Sequence, residues 1–190
     1  MSHNGSHIAA SAVAIAYHSG FGHTAVLAEA VGAGARDASA HVTIIAVDRM
    51  VAEDWDVLDG ADAIVFGSAT YMGGPAGQFK TFADATGAKW FTSAWRDKIA
   101  SGFSVSSSPS GDKFSTLQYF HTLAMQHGMI WVGLGEMPMQ PNGVNRLGSF
   151  AGATAQAGQE SPDVKPSAED KLTGEILGKR VAEYAVKLKK

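Results

Sequence analysis

The stretch Val13-Ala14-Ile15-Ala16-Tyr17-His18-Ser19-Gly20-Phe21-Gly22-His23-Thr24 decides the fold. Its first five residues make a short apolar strand, and the next seven make a polar loop containing two glycines. Beyond the loop, Val26, Leu27, Ala30 and Val31 recur at helical spacing while Glu29 is free to face water. Strand, loop and helix in that order open a crossover unit. Gly32 and Gly34 are expected to weaken the helix near its end.

The alternation continues along the chain. Residues 42–47 read as a second strand, and 54–60 as a short crossover carrying Trp55 and Leu58. Ala63-Ile64-Val65-Phe66 forms a third strand ending at Gly67-Ser68, and its lack of polar alternation suits a strand covered on both faces. A helix is expected over 78–84, with Phe79 and Phe82 on one side, and a fourth strand over 99–105. Residues 117–126 resemble a helix and 129–132 supply a fifth strand. The last helix starts after Pro166-Ser167, with Ser167 as N-cap and Leu172, Ile176, Leu177, Val181, Tyr184, Ala185 and Leu188 as its buried stripe. Parallel neighbours need long crossovers, and right-handed crossovers put helices on both faces of the sheet. The expected fold class is therefore α/β. Residues 133–165 form a long, weakly patterned connection, a length that points to a function or a subunit contact.

Composition narrows the function classes. The chain has 190 residues, 45% of them hydrophobic, and 15 Lys and Arg against 18 Asp and Glu give a net charge of −3. That size favours one compact domain, residues 12–190, behind a flexible segment at 1–11. His3 and His7 read as terminal surface residues. The absence of Cys excludes disulfides, thiolate metal sites and cysteine nucleophiles, and it suits a cytoplasmic location. The acidic balance gives no electrostatic case for nucleic acid, and no run approaches the ~20 apolar residues of a membrane span.

In a parallel sheet the loops at the carboxyl ends of the strands gather at one rim. Three unusual loops fall there, at 19–24, 68–74 and 105–111. The first combines hydroxyls and glycines with a helix start, which suits one phosphate held by free backbone N–H groups. It has neither the lysine-bearing pattern of a nucleoside triphosphate loop nor a G-x-G-x-x-G, so a mononucleotide fits better than a dinucleotide. The second loop offers Gly73 and Gly74 for unusual turns and Tyr71 and Met72 as apolar surface. The third, Ser104-Val105-Ser106-Ser107-Ser108-Pro109-Ser110-Gly111, presents hydroxyls and backbone groups suited to a ring edge and a polyol chain. Each loop alone has a plainer reading, as a capped helix start, a β-turn and an exposed linker respectively. His18, His23, His121 and His127 lack metal-ligand spacing, so no metal is expected. No nucleophile elbow supports serine hydrolysis.

Taken together, the loops make the chain resemble the flavodoxin-like oxidoreductases, and more narrowly the WrbA family of FMN-dependent NAD(P)H:quinone oxidoreductases. The resemblance rests on Tyr17-His18-Ser19-Gly20-Phe21-Gly22-His23-Thr24 and on Phe66-Gly67-Ser68-Ala69-Thr70-Tyr71-Met72-Gly73-Gly74 followed by Gly77-Gln78-Phe79-Lys80-Thr81-Phe82 and Thr86-Gly87. It extends through Thr122-Leu123-Ala124-Met125-Gln126-His127-Gly128-Met129 to Ala182-Glu183-Tyr184-Ala185-Val186-Lys187-Leu188, covering nearly the whole chain. It implies a three-layer flavodoxin-like fold with a central five-stranded parallel sheet. Ser19, Gly20, Phe21, Gly22, His23 and Thr24 would bind the FMN phosphate. Thr70, Tyr71 and Met72 would line the isoalloxazine through backbone contacts, and Val105, Ser106, Ser107, Ser108, Pro109 and Ser110 would support its other side. His127 would approach the flavin edge from the same chain or a neighbouring subunit, stabilising charge or placing a proton, and Phe21 and Trp90 would shape the nicotinamide or quinone site.

The resemblance implies NADH or NADPH as electron donor, a quinone as acceptor, and a homotetramer or homodimer. Departures from the family pattern are a short 48–62 segment where members often carry an insertion, Pro109 where glycine is usual, and Tyr71 where a basic residue is common. Alternatives are an FMN reductase that releases reduced flavin, a flavodoxin-like electron carrier, and a non-enzymatic interaction scaffold.

Overall fold

The structure is a computed structural model that describes residues 10–189. Expectations for His3, His7 and most of the flexible terminal segment lie outside the described residues. Ser11, placed in that segment by the sequence reading, is fully buried, and its hydroxyl donates to the Ala182 carbonyl at 3.4 Å.

Strands β1 (Ala12–His18), β2 (His41–Ala46), β3 (Ala63–Tyr71), β5 (Ile99–Ser106) and β6 (Ile130–Trp131) pair in parallel in the order β2-β1-β3-β5-β6. Helices α1 (His23–Asp37) and α6 (Ala168–Leu188) cover one face. The other carries α2 (Ala52–Gly60), α3 (Gly77–Ala85) and α5 (Lys113–Gln126), with the short α4 (Gly87–Phe91) between α3 and β5. The three-layer flavodoxin-like fold with five central parallel strands is thus present. Alternate residues of one strand feed opposite cores: Val13 and Ile15 pack toward α1 and α6, Ala14 and Ala16 toward the other face. That double burial is why the strands read as continuous apolar runs. The second core is aromatic, with Phe79 and Phe120 ring centroids 4.7 Å apart and Trp95 fully buried.

Three sequence expectations are corrected. Gly32 and Gly34 do stand near the end of α1, which closes at Asp37. Gly34 also serves close packing, because a Cβ on it would stand 1.7 Å from the Glu175 carbonyl oxygen, as one on Gly178 of α6 would stand 1.8 Å from that of Val31. The buried stripe of α6 shifts accordingly toward Thr173, Gly174, Leu177, Gly178 and Val181, leaving Leu188 exposed. Gly67 does not stop β3. It clears space for Phe103, whose ring a Cβ would meet at 2.1 Å, and the strand continues to Tyr71.

The third correction concerns the long connection. It returns to the sheet as β7 (Ala153–Gln156), which pairs in parallel with Phe103, Ser104, Val105 and Ser106 of β5. β6 pairs only with Ile99 and Ala100 at the other end of that same edge. The fifth strand position is therefore split in two around an excursion, and the Ser101 hydroxyl donates to the Val132 carbonyl at 2.7 Å near the gap. Ser167 caps α6 as expected, its oxygen accepting from the Asp170 amide at 3.4 Å.

Candidate functional site

The carboxyl ends of β1, β3 and β5 meet around a cleft of about 520 Å³. Its walls are Ser19, Phe21, His23 and Thr24 from the first loop, Ala69, Thr70 and Tyr71 from the second, and Val105, Ser106 and Ser107 from the third. The structure thus brings together the three regions singled out in the sequence, at a volume typical of small-molecule and cofactor pockets.

The first loop leads into α1 through Gly22, whose φ of 92° suits glycine. No side chain caps α1 and no acidic residue sits in its first turn. Its leading N–H groups and the positive end of its dipole are available to an anion. Beside them, Ser19 Oγ is buried without any hydrogen-bond partner. A buried hydroxyl in that condition is costly, and an anionic oxygen in the cleft would satisfy it. Gly20 gives room to the second loop, since a Cβ there would lie 2.7 Å from the Tyr71 hydroxyl. Phe21 and Tyr71 meet edge to face at 6.5 Å.

The second loop shrinks to a hairpin turn. Tyr71 pairs with Gly74 of β4 (Gly74–Pro75), and Met72 and Gly73 between them both have positive φ, at 49° and 80°. Met72 stands fully exposed at the tip and is not part of the cleft wall. The Thr70 hydroxyl is committed inside the protein: it lies 2.7 Å from Thr116 Oγ1 and 2.8 Å from Ser104 Oγ, which donates to the Ser68 carbonyl. Thr70 therefore offers its backbone to the cleft. Burial raises the Tyr71 phenol above its usual pKa, so it is neutral at physiological pH.

In the third loop, Val105 and Ser106 end β5 and reach the cleft with Ser107, whereas Ser108, Pro109 and Ser110 lie outside its wall. A fourth loop, inside the 133–165 connection that the sequence reading marked only as a whole, closes the gap between first and third. Ala157, Gly158, Gln159, Glu160 and Pro162 line the cleft directly after β7. Gly158 N–H donates to the Ser107 carbonyl at 3.0 Å, and the Ser107 hydroxyl donates to the Gly158 carbonyl at 2.9 Å. His23 Nε2 bonds the Glu160 carbonyl at 2.8 Å, and Pro162 packs where a Cβ on Gly22 would stand 2.9 Å away. The signal available in the sequence was Gly158 followed by Pro162 inside the long connection.

His127 and Trp90 are not brought to this cleft within one chain. They line a separate cavity of about 610 Å³ with Phe91, Arg96 and Met125. His127 is buried, 2.8 Å from Thr86 Oγ1, and its ring is tilted against that of Trp95 with centroids 4.6 Å apart. Thr86 gives its own proton to the Ala83 carbonyl, so His127 Nε2 must be the donor and Nδ1 is left as a buried bare acceptor. Burial lowers the pKa of this imidazole, which argues against a charged imidazolium at neutral pH. Among the described residues no cluster of His, Asp or Glu has metal-binding geometry, and no helix is long and apolar enough to cross a membrane.

A doubly wound parallel sheet that opens its cleft at the strand ends, beside an uncapped helix start, defines a flavodoxin-like protein. The sequence matches the family described as NADPH-dependent FMN reductase over residues 16–140, about two thirds of the chain. The chain belongs to that family. Flavodoxin FldP of Pseudomonas aeruginosa is 39% identical over 183 residues, covering 94% of this chain and 98% of that protein. Among solved structures, the flavodoxin, WrbA-like protein from Agrobacterium tumefaciens is 41% identical with a TM-score of 0.77, covering 94% of this chain and 99% of its own. A flavodoxin from the domain Archaea shares the fold at 20% identity and a TM-score of 0.65, over 92% of this chain and 98% of its own.

Proposed function

We propose that the cleft binds FMN and that the protein passes two electrons from NADH or NADPH to a quinone, as in the WrbA family. The observation that carries the FMN reading is the unpartnered Ser19 hydroxyl at the uncapped start of α1. Ser19, Gly20, Phe21, Gly22, His23 and Thr24 hold the phosphate. Thr70 and Tyr71 present the hairpin backbone to the ring, while Val105, Ser106 and Ser107 form the opposite wall. When bound, FMN supplies the two-electron chemistry. The protein's part is to orient the ring, exclude water from its covered face and keep the other face open. His127 and Trp90 reach the ring only if a second copy lays its Trp90 face against the cleft. In that arrangement His127 acts as a neutral group, and its bare Nδ1 is the atom that accepts a hydrogen bond.

A second reading, an electron carrier serving a protein partner, is favoured by the 39% identity to a protein named as a flavodoxin and by the distance of His127 and Trp90 from the cleft within one chain. Titrating the apoprotein with FMN by flavin fluorescence tests the site: saturable uptake is expected. Ser19→Ala should weaken it about tenfold or more, since hydrogen bonds to charged groups contribute about 1.5–3 kcal/mol. Anaerobic mixing of the loaded protein with NADPH and with NADH then separates the two readings. Rapid bleaching followed by reoxidation with a quinone supports the enzyme, and near inertness to both nicotinamides supports the carrier. Release of reduced FMN during turnover would instead identify a flavin-supplying reductase.

A further inference from the structure

Lys113, the first residue of α5, is only 3% exposed and lies directly behind the third loop. Its ammonium donates to Ser106 Oγ at 2.7 Å, to the Pro109 carbonyl at 2.8 Å and to the Ser108 carbonyl at 3.1 Å. A lysine ammonium has three protons, and all three have acceptors here. The Ser106 hydroxyl passes the connection on, donating to the Ser108 carbonyl at 3.0 Å. Gly111 completes the winding: its φ is 52°, and a Cβ on it would stand 1.9 Å from Ser106 Oγ. A serine-rich segment that reads as a linker is therefore wrapped round one buried cation.

The acceptors are all neutral oxygens. The charges acting on Lys113 from elsewhere are Asp170 at the start of α6, which favours its protonated form, and Arg146 from the excursion, which opposes it. Those two are already clamped to each other, Arg146 Nε to Asp170 Oδ1 at 2.7 Å and Nη2 to Oδ2 at 2.8 Å. Burial lowers the Lys113 pKa to about 8, so at neutral pH the group is still charged. A buried charge of this kind is expensive to desolvate, and a neutral side chain would pin carbonyls at lower cost. Ser106 faces the cleft on one side and this ammonium on the other.

We infer that Lys113 is the positioning residue of the cofactor cleft: it winds residues 106–111 into one wall and holds a positive charge one hydrogen bond behind that wall, favouring an anionic occupant. The inference rests on the FMN reading for the identity of the occupant. A flavin ring that has taken two electrons and one proton carries one more negative charge than the oxidised ring. The charge behind the wall therefore favours the reduced state, with NAD(P)H as reductant.

Lys113→Met and Lys113→Gln test this in the full-length protein. In the apoprotein, Lys113→Met should speed amide exchange in residues 107–112 about tenfold or more while α1 and α6 keep their protection. With FMN added, Lys113→Met should lower affinity about tenfold or more and move the midpoint potential of the bound flavin to a more negative value. Lys113→Gln, which keeps donors but loses the charge, should recover part of the affinity and none of the potential. Wild-type exchange and an unshifted potential in Lys113→Met would overturn the assignment. Should both variants fail to fold, the Lys113 Cε resonance of the wild-type protein decides: its titration midpoint should rise when FMN binds, and an unmoved midpoint counts against the role. A wild-type protein that takes up no FMN refutes the flavin reading and the charge half of the inference together. Uptake by wild type with no change in the variants refutes the inference alone.

Discussion

His127 shows how far one residue's role depends on its surroundings. In the sequence it reads as a titrating group near a flavin edge, because imidazole changes charge near neutral pH. In the folded chain its Nε2 proton goes to Thr86 Oγ1, its ring packs at a tilt against Trp95, and burial disfavours the protonated form. The sign of the consequence follows from linkage. The unfolded chain takes a proton near the ordinary value of 6.5, and the folded chain takes it only at lower pH. Native His127 therefore contributes stability above that value and loses it as pH falls through the folded pKa. In urea titrations from pH 7 down to about pH 5, His127→Gln should lose stability less steeply than wild type. Equal slopes would show that the imidazole titrates alike in both states. Ser19 is the converse case: the sequence marks it as a candidate phosphate-loop hydroxyl, and the fold leaves its Oγ buried and unpartnered beside a helix start.

At the scale of elements, the contact between α1 and α6 is set by glycines rather than by the leucine stripe visible in the helical pattern. Gly34 and Gly178 allow each backbone to touch the other helix, so a single methyl has nowhere to go. Gly178→Ala should cost about 1–3 kcal/mol from overpacking, despite alanine's better helix propensity. A chain of this length should then lose about 2–4 °C of Tm per kcal/mol, measurable by calorimetry or circular dichroism. An unchanged or raised Tm would mean that the two helices slide apart freely. The same contrast explains what was legible beforehand. Strand positions and helix order stand out because apolar periodicity reports burial directly, and Ser167 stands out because a cap is a local pattern. Gly67 and Gly34 read locally as weak points or stops, since the residues they accommodate lie far away in sequence. β7 and the fourth loop escape for a related reason. Ala153-Thr154-Ala155-Gln156 has little hydrophobic signal of its own and becomes a strand only by pairing with β5. Lys113 gives no sign in the sequence of being buried.

The whole molecule leaves Trp90 and Phe91 largely exposed, at 50% and 83%, beside the cavity that holds His127. Large apolar side chains grouped on one face favour association. If a second copy covers this face, sedimentation velocity over a range of protein concentrations should show a dimer or tetramer. Phe91→Asp should then shift the population toward monomer while leaving FMN uptake intact, because Phe91 lies outside the cleft. A monomer at every concentration would remove the route by which His127 and Trp90 reach a flavin and would favour the carrier reading.

The split outer position of the sheet has a consequence for the chain's behaviour in a crowded solution. A long, regular rim exposes a ladder of free amides and carbonyls onto which a foreign strand can add, the first step toward fibrous aggregates. Here β6 spans two residues and β7 spans four, and the excursion between them interrupts their common edge. Neither piece is long enough to template such growth, so at this edge the detour that helps to shape the cleft also hinders strand addition, leaving β2, six residues at the opposite edge, as the longer rim.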